Sequence, residues 1–143
     1  MMRKKAQLSA DFAVIAAVVL IIALFLVELY SQRMESARIM TVHLSAQRTA
    51  EDVARSINHA WLAGNGSVAH SQLPDSLPNG AGYNLTIRGR QVLVYYPAGD
   101  GIRIASAGTI TSNISSANIT IIPGSGGVQL NITNANNTIR VTW

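Results

Sequence analysis

Sixteen consecutive positions from Phe12 to Val27 carry no polar side chain, with an acid at either end, Asp11 before the run and Glu28 after it. Apolar residues on every side, rather than along one stripe, predict a helix surrounded by lipid or by other helices. At 1.5 Å per residue the run makes about 24 Å of helix, somewhat short of a hydrocarbon core of roughly 30 Å unless Leu29, Tyr30 and residues before Phe12 extend it. Beyond Tyr30 the pattern becomes one-sided. Val42, Ala46, Ala50, Val53, Ile57 and Trp61 recur at spacings of three and four, with Gln47, Arg48, Glu51, Asp52, Arg55 and Asn58 between them. That is a helix burying one face, and Glu51 with Arg55 has the favourable i,i+4 order. No proline occurs before Pro74 and Gly64 suits a C-cap, so one continuous helix from about Ser9 to Leu62 is expected, roughly 80 Å long.

From Asn65 to Gly82 the chain turns to Gly, Ser, Pro and Asn, which reads as a connector. The remainder alternates with period two. Tyr83 to Ile87 and Gln91 to Tyr96 form a hairpin pattern around Arg88-Gly89-Arg90; further strands are expected at Ile102 to Ala105, Thr109 to Ile114, Asn118 to Ile122, Val128 to Thr133 and Thr138 to Trp143. Short strands between Gly, Asn and Ser turns suggest an antiparallel sandwich or rolled sheet.

The N-terminal flank decides what the apolar helix belongs to. Arg3, Lys4 and Lys5 precede it, so the positive-inside rule keeps that end cytoplasmic and sends everything after Tyr30 outward. No small-residue cleavage pattern of the secretory kind follows the run, where Glu28, Leu29, Tyr30, Ser31 and Gln32 stand. The small residue is Ala6, before the run. Lys4-Lys5-Ala6-Gln7, Ser9, Asp11 and Phe12 together resemble the class III signal peptide of archaeal type IV pilins and pilin-like proteins, with Asp11 in place of the usual Glu. The resemblance implies that a prepilin peptidase cuts between Ala6 and Gln7. It also implies that the apolar helix, with Asp11 and Phe12 at its entrance, drives assembly into a helical homo-oligomeric filament through an assembly ATPase and a membrane platform protein.

Charge and composition narrow the function further. The formal net charge of +4 in 143 residues includes Arg3, Lys4 and Lys5; without them eight Lys+Arg face seven Asp+Glu, a net charge of +1. A basic nucleic-acid surface therefore has no support. The chain has no cysteine, so disulfides do not stabilise an extracellular domain and thiolate chemistry is excluded.

Six N-x-[ST] sequons occur, at Asn65, Asn84, Asn113, Asn118, Asn131 and Asn136. Strand alternation places Asn131 opposite Leu130 and Ile132, Asn84 opposite Leu85 and Ile87, and Asn118 opposite Ile119 and Ile121, so these acceptors are expected to face solvent. They read either as glycan sites or as a polar sheet face without sugar.

No catalytic constellation is recognisable. His43 and His59 are sixteen residues apart on one helix, about 24 Å, and His70 lies beyond it, so solvent-facing histidines are expected. Asp75 and Asp100 lie in loops without a calcium-loop pattern, and Gly124-Ser125-Gly126-Gly127 lacks a Lys-Ser/Thr ending and reads as a hairpin connector. Arg88 with Arg90 reads as a turn flank rather than a phosphate site. Glu28 marks the outer membrane boundary or pairs with Arg33 of a neighbour. Trp61, Tyr83, Tyr95, Tyr96 and Trp143 read as a plug between helix and sheet, or as a carbohydrate platform.

The expected architecture is α+β and type IV pilin-like. It comprises a leader over 1–6, a long helix over 7–62 (membrane or filament core over 7–30, amphipathic over 31–62), a linker over 63–82 and a small antiparallel β head over 83–143. The expected role is a structural filament subunit, inserted in the cytoplasmic membrane as precursor and then displayed at the cell surface, with no enzymatic activity and no cofactor or metal. The alternative is a single-pass, membrane-anchored binding protein that does not polymerise, or a minor, assembly-initiating pilin.

Overall fold

The computed structural model describes the backbone of residues 2–143 and the side chains from Phe12 onward; the expected cleavage residues Ala6 and Gln7 and the acid Asp11 lie outside the described side chains. The chain forms two compact units, Met1–Ala37 and Arg38–Trp143. One helix, α1 (Met2–Leu62), contributes to both, and seven strands follow: β1 (Val68–Leu73), β2 (Tyr83–Arg88), β3 (Gln91–Ala98), β4 (Gly101–Gly108), β5 (Ala117–Ile121), β6 (Val128–Ala135) and β7 (Thr138–Thr142). This is an α+β fold with a long apolar N-terminal helix and antiparallel sheets.

Every described residue of α1 up to Arg38 is exposed, whereas the expected stripe Val42, Ala46, Ala50, Val53 and Ile57 is buried, together with Ala54 and Ala60. The stripe is rich in alanine and is buried in the core shared with the β head. The helix stops at Gly64, whose φ of +89° is open to glycine at no steric cost. Its end is tied down by side chains, since the carbonyl of Ala60 accepts from both Ser67 Oγ and Asn134 Nδ2. The expected Glu51–Arg55 pair does not form. Arg55 lies 3.7 Å from Asp52, and Glu51 accepts from Gln47 Nε2, which also bonds the carbonyl of Ser106.

The strands make a three-stranded sheet ordered β1-β6-β7 and a four-stranded sheet ordered β4-β3-β2-β5, all neighbours antiparallel. Their inner faces share one core with α1, including Leu85, Ile87, Val92, Val94, Leu130 and Ile132. The hairpins follow turn chemistry. Asn136 and Asn137, at φ of +52° and +57°, form the two-residue β6–β7 turn, and Gly89 and Gly99 open the β2–β3 and β3–β4 turns at positive φ.

Three expectations are corrected. The expected linker 63–82 contains β1, which pairs with β6 from Val68↔Thr133 to Leu73↔Val128. The expected strand Thr109 to Ile114 is a loop with a single parallel bridge, Ile114↔Ile139. Its hydroxyls satisfy its own backbone instead: Thr109 Oγ1 donates to the Thr111 carbonyl, and Thr111 Oγ1 accepts from the Asn113 amide. Gly124–Gly127 is not a hairpin connector, because β5 and β6 belong to different sheets.

Candidate functional site

The apolar segment of α1 is a candidate functional surface. From Phe12 to Val27 each large side chain is about half exposed or more, including Phe12 at 73% and Ile21 at 64%. Among the described residues this helix alone is long and apolar enough to cross a membrane. A contiguous apolar surface of that size does not persist in water, so it has a covering, lipid or protein. Ala13, Ala16, Ala17 and Ala23 lower its relief so that helix backbones can approach closely. At its C-terminal end Glu28 accepts from Gln32 Nε2 at 3.0 Å, one turn on.

The candidate histidines do not come together. His43 is half-buried, and its Nδ1 lies 2.6 Å from the hydroxyl of Tyr96. Tyr96 is 1% exposed and burial raises its pKa, with Arg103 acting in opposition, so its phenol stays protonated within hydrogen-bond reach of Nδ1. His59 is exposed, and His70 is paired to Asn131. Among the described residues no three of His, Asp or Glu lie close enough to hold a metal ion. Arg90 turns its guanidinium to the carbonyls of Thr109 and Ile110, so it holds the loop after β4.

Asp75 is a hydrogen-bond acceptor for backbone groups. Gly124-Ser125-Gly126-Gly127 wraps its carboxylate. The amides of Gly124, Gly126 and Gly127 donate at 2.8, 3.0 and 3.3 Å, and Ser125 Oγ at 3.3 Å. This is a small anion nest filled by the protein's own acid. Gly127 sits at φ +77°, and a Cβ there would meet the Leu73 carbonyl at 2.9 Å. Below the nest Tyr83 donates to the carbonyl of Pro74, and burial, aided by the Asp75 charge, pushes its pKa well above the ordinary value.

The donors to Asp75, led by the Gly124 amide, hold its pKa below the usual carboxylate value, although burial acts the other way. A depressed folded-state pKa contributes stability above the unfolded pKa of about 3.9 and loses it as pH falls through the folded value. The Tm of the head followed by circular dichroism should therefore fall below about pH 4 more steeply in the native chain than in Asp75→Asn. Parallel curves would show that the carboxylate charge is immaterial.

The aromatic residues divide. Tyr83 and Tyr96 are buried and Trp61 is half-buried against the core, whereas Trp143 is 62% exposed. Tyr95 lines a groove of about 520 Å³ on the outer face of the four-stranded sheet with Pro97, Ile102, Ile122 and Pro123. The sequons lie where alternation puts them for Asn118 and Asn131, both exposed, while Asn84 is half-buried in the same groove. Asn65, Asn113 and Asn136 are exposed in loops.

No protein-family model, no curated protein and no solved structure matches the chain.

Proposed function

We propose that the chain is a pilin-like structural subunit, polymerised into a surface filament through its apolar N-terminal helix. One observation carries this reading: a segment exposed and apolar on every side continues, without a break in the helix, into the helix that forms the core of a folded β head. Lipid and neighbouring helices are equally apolar surroundings, so such a segment can pass from membrane to filament at small free-energy cost. The Lys4-Lys5-Ala6-Gln7 junction in front of it supports processing by a prepilin peptidase, and the positive flank supports a cytoplasmic N-terminus with the head outside. An assembly ATPase and a membrane platform protein are the partners this role requires.

N-terminal mass spectrometry of the mature protein should find Gln7 first, with both lysines of the chain, Lys4 and Lys5, removed. Electron microscopy of sheared surface material should show filaments containing it. A mature terminus beyond Tyr30 would make this an ordinary secreted protein and end the pilin reading.

The apolar groove beside Tyr95 favours a second reading, a membrane-anchored binding module or minor pilin. An uncut N-terminus with Lys4 and Lys5 still in place, and no filaments, would select the uncleaved anchor.

A further inference from the structure

We infer that Asn118 and Asn131 are the two glycan acceptors of the head, one on each sheet, and that the other four sequons stay unmodified in the folded protein. The inference rests on the proposed reading that the head lies outside the membrane. Attachment makes three demands on an asparagine. Its Nδ2 must be exposed and free, its side chain must be presented outward, and the Ser/Thr hydroxyl two residues on must be available to the enzyme that reads the sequon.

In a strand, residues i and i+2 share a face, so Asn118 with Thr120 on β5 and Asn131 with Thr133 on β6 stand side by side on the outer faces. Each asparagine has its amide oxygen occupied and its nitrogen free. Asn118 Oδ1 accepts from Thr86 Oγ1 at 3.1 Å, and Asn131 Oδ1 accepts from His70 Nδ1 at 2.8 Å. Anchoring the oxygen turns Nδ2 toward solvent. Neither Thr120 nor Thr133 spends its hydroxyl on another described residue.

Each remaining sequon fails at least one demand. Asn113 commits Nδ2 itself to the Asn137 carbonyl, and Ser115 Oγ donates to Ile139. Asn84 is half-buried on a central strand with its Oδ1 enclosed, and its Thr86 hydroxyl is the one held by Asn118. Asn65 is exposed, but Ser67 Oγ is turned inward to the Ala60 carbonyl. Asn136 occupies the first position of a tight turn at φ +52°, so it and Thr138 do not stand side by side on one strand face as the extended sequons do.

The reaction needs a sugar activated as the phosphate or diphosphate ester of a membrane lipid. Asparagine Nδ2 attacks the anomeric carbon, the N–C bond forms, the C–O bond to the lipid phosphate breaks, and the lipid phosphate leaves while the nitrogen gives up one proton.

Peptide mass mapping of the protein taken from its own membrane should find glycan on Asn118 and Asn131 and unmodified peptides for Asn65, Asn84, Asn113 and Asn136. Asn118→Gln and Asn131→Gln should each remove the mass of one glycan. Thr120→Ala and Thr133→Ala should do the same while leaving both asparagines in place, which separates loss of the acceptor from any effect on folding. Glycan at Asn84 or Asn113 would show that modification precedes folding and overturn the selection. An external head, cleaved by protease added to intact cells but carrying no sugar, would overturn the sites alone. A head protected from that protease would overturn the topology of the proposed function and the sites with it.

Discussion

Replacing Asp11 by Asn should leave membrane insertion and leader cleavage intact and sharply reduce the number of filaments, whereas Asp11→Glu should assemble normally. Asp11 is the one charge at the entrance to an otherwise apolar run. In the membrane it can remain among headgroups, but in the proposed filament core it is withdrawn from water, and an unpaired buried charge is costly. The proposed cleavage after Ala6 would create its partner. The new α-amino group on Gln7, protonated below a pKa of about 8, stands one helical turn away, within the subunit or on a neighbour. Asparagine removes the attraction and keeps the shape. The competing account gives Asp11 only its favourable place at a helix N-terminus, worth about 0.3–1 kcal/mol and irrelevant to assembly. Electron microscopy of Asp11→Asn cells separates the two, since filaments in normal number would leave only the second account.

The second large effect is on the stability of the head. Leu130 and Ile132 are 0% exposed on the inner face of β6, the middle strand of its sheet, while Asn131 between them is exposed. Leu130→Ala or Ile132→Ala removes apolar volume that close packing cannot refill, and should cost about 2–5 kcal/mol in chemical denaturation. Asn131→Gln should cost far less. Equal losses at Leu130 and Asn131 would mean that the strand presents its other face to the core.

How much of this was legible in the sequence differed from element to element, for physical reasons. The α1 stripe, the hairpin around Gly89 and the faces of β6 could be read because burial repeats there with a clean period. β1 could not. Its inward positions include Ser71 beside Leu73, and its sequence VAHSQL has little β-branched character, so it looked like part of a loop. Thr109 to Ile114 failed in the opposite sense: β-branched residues suggested a strand, but their hydroxyls bond locally. The Asp75 nest had no readable signal, since its acid and its glycines lie about fifty residues apart. Among the sequons, the motif is the same six times, and what tells them apart is burial, backbone conformation and hydrogen bonding: Asn118 and Asn131 accept from Thr86 and His70, whereas Asn113 and Ser67 donate to main-chain carbonyls.

The placement of β6 between β1 and β7 also sets an order in time. β1 leaves the synthesis machinery early, yet its partner begins 55 residues after its own last residue, with Leu73 paired to Val128. Such a pairing carries a greater loop-closure cost than the local hairpins β2–β3 and β3–β4 and is expected to form after them. Throughout that interval β1 waits as an open edge beside a nascent chain, the situation in which strands mispair or aggregate. Its polar residues His70, Ser71 and Gln72 make it a poor template for wrong partners. The weak strand character that hides β1 in the sequence is thus also what lets it stay unpaired safely until β6 arrives.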